Sequence, residues 1–144
     1  MIRPIAAADM AEITRLRTSV KENHLSVEEM AERGITPAGI LADLDSGELG
    51  GWLDEENGEI RGFSMADHRD GQIFALFTKP GCEGRGVGTR LLEVAVQWLA
   101  ERGHDEAWLS TDANSIAARF YANRGWRRGE MKDHEDVYLH LSLR

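Results

Sequence analysis

The chain is poor in cysteine, in positive charge and in long apolar runs, and each shortage removes a class of function. Cys82 is its one cysteine, so no internal disulfide can form and a reducing, cytoplasmic setting is expected. Lysine and arginine total 17 against 25 aspartate and glutamate, a formal net charge of −8. A nucleic-acid scaffold needs a net basic face, so that class is set aside. No apolar run approaches the roughly 18 residues of a membrane span, and the opening MIRPIAAADM lacks the apolar core of a signal peptide. There is no internal repeat, low-complexity tract or linker. What remains is a soluble single domain over residues 1–144, with 42% hydrophobic content and length enough for one core.

Glycine, by contrast, is concentrated in one place. Residues 80–92 read PGCEGRGVGTRLL, with Gly81, Gly84, Gly86 and Gly88 running straight into a leucine-rich helix. Glycine inside a helix costs about 1 kcal/mol relative to alanine. Such a cluster implies that the backbone itself is the working group. A strand that feeds a glycine-rich turn and a helix N-terminus presents unpaired N–H groups at the positive end of the helix dipole. That combination binds phosphorylated anions, and Arg85 and Arg90 would add charge at the rim. A G-x-x-x-x-G-K-[ST] loop is excluded, because no Lys-Thr pair closes the pattern. A dinucleotide fingerprint fits poorly, since Thr89 stands where its third glycine belongs and the loop follows a meander.

The surrounding pattern predicts the order of elements. Residues 2–5 read as a short edge strand, where Pro4 is tolerated. Met10, Ile13, Leu16 and Val20 recur at helical spacing. Ser26-Val27-Glu28-Glu29 reads as the capping box of a second short helix, and Thr36-Pro37 opens a third helical piece to about Asp45. The period becomes that of strands over 51–54 and 60–67, which flank Asn57-Gly58, a type I′ hairpin signal. Residues 73–78 are almost wholly apolar and predict a central strand buried on both faces. A helix over 86–102 sets Val87, Leu91, Val94, Ala95 and Trp98 on one stripe. A strand at 107–111, a helix at 114–124 stopped by Gly125, and a terminal hairpin at 126–131 and 137–143 complete the chain. The order is β-α-α-β-β-β-α-β-α-β-β, an α/β chain with a mixed sheet rather than a regular βαβ repeat.

Two motifs on this frame resemble a known family. Glu83-Gly84-Arg85-Gly86-Val87-Gly88 is similar to the pyrophosphate signature Q/R-x-x-G-x-G/A of the GNAT superfamily of acyl-CoA-dependent N-acyltransferases, with Glu83 in place of Gln or Arg. Residues 114–121, NSIAARFY, followed by Gly125-Trp126, resemble its N-x-x-A-x-x-F-Y-x-x-x-G-[FWY] segment. The resemblance covers essentially the whole chain and is to small single-domain bacterial members. It implies a sheet splayed between the strands ending at Thr78 and Thr111, with acetyl-CoA in the gap. Backbone of Leu76, Phe77 and Thr78 would pair with the pantetheine arm and aim an amide at the thioester carbonyl. Gly84, Arg85, Gly86, Val87, Gly88 and Thr89 would wrap the pyrophosphate, and Asn114 would touch the pantetheine from the far side. Tyr121 would sit beside the sulfur as the catalytic acid. The implied reaction is direct transfer of an acetyl group from acetyl-CoA to a primary amine of a small molecule or peptide, with no metal. A non-catalytic acyl-CoA-binding module is the alternative, and a nucleotide-phosphate binder would use the same loop.

The general base is not legible. Some family members carry a glutamate five residues ahead of the asparagine, and here that position is Leu109. Asp67, His68, Glu22, Glu28 and Glu29 remain as candidates, beside a water chain to solvent. Residues 19–26, SVKENHLS, resemble the segment that lines the family's acceptor side, which singles out Glu22, Asn23 and His24. Helical geometry sets Phe120 apart from Tyr121 and predicts Phe120 as the core residue, with the Tyr121 hydroxyl free. Cys82 reads as a loop residue rather than a nucleophile, and Asp133-His134-Glu135-Asp136 as a solvated turn rather than a metal site. Trp98 and Trp108 read as core, Trp52 as core or acceptor-pocket wall. The terminal hairpin is compatible with a homodimer.

Overall fold

In the computed structural model, which describes residues 1–19, 36–82 and 84–144, the period-two stretches form one mixed sheet of order β1-β2-β3-β4-β5-β7-β6. The strands are β1 (Ile2–Pro4), β2 (Leu49–Glu56), β3 (Glu59–Asp67), β4 (Gln72–Thr78), β5 (Glu106–Asp112), β6 (Arg127–Met131) and β7 (Asp136–Ser142). The helices are α1 (Met10–Ser19), α2 (Pro37–Ser46), α3 (Val87–Glu101) and α4 (Ile116–Ala122). Every strand pairing is antiparallel except that of β4 with β5. Over the described residues the order of elements is the expected one. The second short helix, expected from Ser26, lies outside the described residues. No described helix is long and apolar enough to cross a membrane.

Local chemistry explains the clearest boundaries. Asn57 and Gly58 both take left-handed φ, 55° and 78°, as a type I′ turn requires. Thr36 caps α2 by accepting a 3.0 Å bond from the Gly39 amide, with Pro37 opening the helix. Three ladders carry one extra residue each: Arg61 in β3, opposite Asp54 and Glu55, Phe74 in β4, opposite Met65 and Ala66, and one between Arg128 and Met131 in β6, opposite the step from Leu139 to Val137. Such bulges bend a strand and re-aim its side chains.

One apolar layer lies on each face of the sheet. Leu92, Ala95 and Leu99 of α3 and Tyr121 of α4 pack with Ile73, Leu109, Trp126 and Val137 on the first. Met10, Ile13 and Leu16 of α1 pack with Leu53, Phe63, Met65 and Ala75 on the second. The buried stripe of α3 is Val87, Leu91, Leu92, Ala95 and Leu99. Val94 and Trp98 of the expected stripe are half-buried. Trp98 instead lies at the layer's margin, edge-on to Trp52, with Arg102 stacked over it. Trp108 is also half-buried, and Trp126 is the tryptophan of the core.

Small residues along β3 seat α3 tightly. A Cβ on Gly62 would lie 2.5 Å from the Phe77 carbonyl and 3.0 Å from the Val87 and Leu91 side chains. Ser64, fully buried, donates its hydroxyl to the Leu91 carbonyl at 3.0 Å. The N-terminal half of α3 is thereby pinned beside the end of β4.

The apolar run of β4 is not buried on both faces. Ile73 and Ala75 are buried, while Phe74, Leu76, Phe77 and Thr78 are only half-buried. The cause is the neighbouring strand, which pairs with β4 at Gln72↔Trp108 and nowhere else. Beyond that pair the two strands part.

Candidate functional site

The glycine loop leaves β4 through a turn closed by the Cys82 amide on the Lys79 carbonyl, at 2.9 Å. Gly81, Gly84 and Gly86 have φ of 92°, 79° and 78°. Gly86 is the N-cap of α3, and having no side chain it leaves that end without a side-chain cap. The first bond of the helix runs from the Arg90 amide to the Gly86 carbonyl, at 3.0 Å. The amides of Val87, Gly88 and Thr89 then have no intrahelical acceptor. The shorter helices differ: α2 is capped by Thr36, and α4 by Ser115, which accepts from the Ala118 amide at 3.1 Å. The helix that follows the glycine loop is open to an outside acceptor. The Val87 side chain is core, so that residue offers only its backbone.

The open edge of β4 stands next to this cradle. The Lys79 amide donates to the Arg61 carbonyl at 2.7 Å, which marks a hydrogen-bonded pair of the β3–β4 ladder. Such pairs recur every second residue, so Phe77, opposite Phe63, also turns its polar groups toward β3. Leu76 and Thr78 turn theirs the other way, into the gap left by β5. This corrects the expectation for Phe77, whose backbone is taken up by β3 and whose ring stacks on Phe63 at 5.1 Å. The splay itself is where it was expected.

Three elements converge at the mouth. A Cβ on Gly88 would lie 3.3 Å from Thr78 Oγ1 and 3.5 Å from the Phe120 ring. The Arg124 guanidinium lies 3.7 Å over Phe120 and donates to Thr89 Oγ1 at 2.6 and 3.2 Å. Arg124 thus ties the end of α4 to the start of α3. Its spacing of four from Phe120 was the signal in the sequence for this contact. Asn114 is exposed in the turn between β5 and α4, across the gap from β4, its amide on Asp112 Oδ1 at 2.9 Å.

Tyr121, not Phe120, is the more deeply buried of the two, against expectation. Tyr121 is 7% exposed, with Phe120 and Trp126 set edge-on to its ring at 5.3 and 5.6 Å. Burial holds its hydroxyl in the neutral form, well above the ordinary phenol pKa. Phe120 is half-buried beneath Arg124. The reason is the helix stop: after Gly125, at φ 90°, the Trp126 amide folds back onto the Tyr121 carbonyl at 3.2 Å and its indole closes over the tyrosine.

The base candidates fare worse. Asp67 pairs with Gln72 at the closed end of the gap, six residues and about 20 Å along the strand from Thr78. It holds Arg69 at 2.9 Å, and the neighbouring His68 Nδ1 lies 3.0 Å from His104 Nε2. Neither stands at the mouth. Leu109 is 3% exposed, in the core. Glu22, Asn23, His24, Glu28 and Glu29 lie outside the described residues. Asp133 accepts from the Glu135 and Asp136 amides at 2.8 and 2.7 Å, a side-chain-closed turn. Among the described residues, no three His, Cys, Asp or Glu side chains gather as a metal site would require.

The charge beneath the loop was missed altogether. Asp54 of β2 has no exposed surface. Its Oδ1 accepts from Arg61 at 2.7 and 3.1 Å, and its Oδ2 from Arg90 at 3.1 Å. Burial pushes the Asp54 carboxyl up, but Arg61 and Arg90 outweigh it and hold the group below its ordinary value of 3.8. A depressed carboxyl stabilises the fold above the unfolded value and loses that contribution as pH falls. Asp54→Asn is therefore expected to melt below wild type at pH 7. The gap should narrow as pH drops through 3.8 and below, in parallel melts across pH.

Residues 8–126 match the Acetyltransferase (GNAT) family. A mycothiol acetyltransferase of Clavibacter sepedonicus is 32% identical over 104 residues, which are 69% of this chain and 31% of that protein. An uncharacterized N-acetyltransferase of Archaeoglobus fulgidus is 34% identical over 87 residues, 53% of this chain and 58% of the other. The chain thus spans between about a third and three-fifths of these curated relatives. Among solved structures, the PaiA N-acetyltransferase of Thermoplasma acidophilum, in complex with coenzyme A, aligns with a TM-score of 0.78 at 20% identity. The match covers 99% of this chain and 98% of that one. A GNAT-family acetyltransferase of Staphylococcus aureus aligns at 0.82 with 17% identity, covering 100% and 99%.

Proposed function

Because the chain belongs to the Acetyltransferase (GNAT) family, we propose that it transfers the acetyl group of acetyl-CoA to a primary amine of a small molecule or peptide. One observation carries this reading: an uncapped helix N-terminus stands directly beside an unpaired strand edge. A ligand with a diphosphate at one end and amides along an extended arm needs both, in that order.

The described residues fit such a ligand. The amides of Gly86, Val87, Gly88 and Thr89 would hold the diphosphate, with Gly84 keeping the loop clear and Arg85 at the exposed rim. Leu76 and Thr78 would pair with the arm as a missing strand would, and Asn114 would meet it from β5. Acetyl-CoA supplies the activated acyl group when bound. The Thr78 amide would face the negative charge that builds on the thioester oxygen, a role in which a preorganised donor is worth most. Tyr121, kept neutral by burial, would donate its proton toward the departing sulfur. The amine must arrive uncharged: at pH 7.4 deprotonating a lysine-like group costs roughly 4 kcal/mol. Glu22, Asn23 and His24 are proposed on the acceptor side.

The test is a thiol-release screen with acetyl-CoA against small amines, polyamines, aminoglycosides, peptide N-termini and the acceptors of the mycothiol acetyltransferases. Release above background with one class supports the proposal and names the acceptor. Calorimetric CoA binding with no release across the panel would favour a binding module. Displacement of CoA by ATP would mark a nucleotide site and end the acetyl-CoA reading.

A further inference from the structure

Arg90, expected as charge at the rim, is exposed there but also turns its guanidinium back onto the loop's own backbone. Its Nη1 donates to the Arg85 carbonyl at 3.2 Å, while Nε and Nη2 meet Asp54 Oδ2 at 3.4 and 3.1 Å. Asp54 is itself fixed, fully buried and bound through its other oxygen by Arg61 at 2.7 Å. The chain's amino group lies 3.4 Å from the same oxygen. A carboxylate anchored on the sheet thus grips one side of the Arg90 guanidinium, and the other side grips a loop carbonyl.

That carbonyl matters because of the amide behind it. A trans peptide unit is planar, with its C=O and N–H pointing in opposite directions. Drawing the Arg85 carbonyl toward Arg90 turns the Gly86 N–H away from Arg90. With glycine at 84 and 86, both at positive φ, the peptide planes here have little steric reason to keep one orientation. The guanidinium supplies the reason.

We infer that Asp54 and Arg90 are positioning residues, which hold the Arg85–Gly86 peptide in the orientation that aims the Gly86 amide at the diphosphate. This role rests on the proposed acetyl-CoA site. It assigns Arg90 an indirect duty, so its charge alone is not enough. Lysine keeps the charge but cannot bridge a carboxylate and a carbonyl as the planar fork does.

Three variants test it, by calorimetry with CoA, melting curves, and the Gly86 amide resonance in amide NMR spectra. Arg90→Lys and Arg90→Met are expected to weaken CoA alike, by roughly threefold to tenfold, with the Gly86 resonance displaced in the free protein. Asp54→Asn should weaken CoA to a similar degree, although it removes no positive charge. A folded Arg90→Lys with wild-type affinity, beside a weak Arg90→Met, would make Arg90 a direct charge contact and overturn the proposal. Tighter CoA binding by Asp54→Asn, from an Arg90 released toward the ligand, would overturn it too. Should Asp54→Asn fail to fold, the Arg90 pair decides alone. Wild-type protein that binds no CoA removes the site and this role together, and Gly86→Val losing CoA where Arg90→Lys does not removes this role only.

Discussion

Tyr121→Phe is expected to lower turnover by roughly tenfold to a thousandfold while leaving CoA affinity nearly unchanged. The substitution deletes one oxygen and keeps the ring between Phe120 and Trp126. No described residue hydrogen-bonds that oxygen, so little stability is at stake, less than the ~1 kcal/mol of an ordinary lost bond. If the tyrosine were only core filling, the variant would melt as wild type and turn over as wild type. If the phenol gives its proton to the departing thiolate, the packing is untouched and only the rate falls. Its raised pKa sharpens the expectation: the group stays protonated throughout the neutral range, so any loss should be flat with pH there. Steady-state kinetics, calorimetry and a melt on this one variant decide the matter, and undiminished turnover would remove Tyr121 from the mechanism.

Gly86→Val should cost at least about tenfold in CoA affinity, or about 1.4 kcal/mol. The residue sits at φ 78°, in the left-handed region that a β-branched side chain avoids. A Cβ there would also press within 3.0 Å of Arg90 Nη1, disturbing the guanidinium beneath the loop. The helix itself should survive, because α3 is secured by five buried residues from Val87 to Leu99. Gly103→Val provides the control. It carries a similar φ of 89° at the opposite end of α3, with nothing within 4 Å of its added carbon. Both variants should melt lower, and only Gly86→Val should lose CoA by calorimetry. Equal affinities in the two would show that the loop is no cradle.

Local signals were legible in the sequence and long-range ones were not. Asn57-Gly58 and Thr36-Pro37 declare a turn and a helix start through their own backbone preferences, and both formed as expected. The glycine loop was legible for the same reason. The run 73–78 announced a strand but could not say that its neighbour would diverge after Gln72, so its burial was overstated. Asp67 and His68 remained base candidates because a strand's sequence does not tell which end meets an open gap. The deeper burial of Tyr121 than of Phe120 turned on Trp126 folding back past Gly125, a tertiary event. The least legible feature was Asp54 with Arg90, 36 positions apart, since charged residues at that spacing ordinarily read as two unrelated surface groups. Glu22, Asn23 and His24 rest on resemblance alone.

The lone pair Gln72↔Trp108 has a consequence for how the molecule comes apart. On either side of it, β1 to β4 and β5 to β6 are plates sealed by antiparallel ladders. Their join is held by the layer of α3 and the apolar groups beneath it. Opening along the join breaks fewer backbone bonds than unravelling either plate, so it belongs among the cheaper excursions that amide exchange detects. A ligand laid across both plates binds only when they are docked. At a hundred times its Kd it would add about 2.7 kcal/mol to that docked state, and slow exchange on both sides of the join together. The cooperativity of the fold would then be owed in part to the proposed ligand.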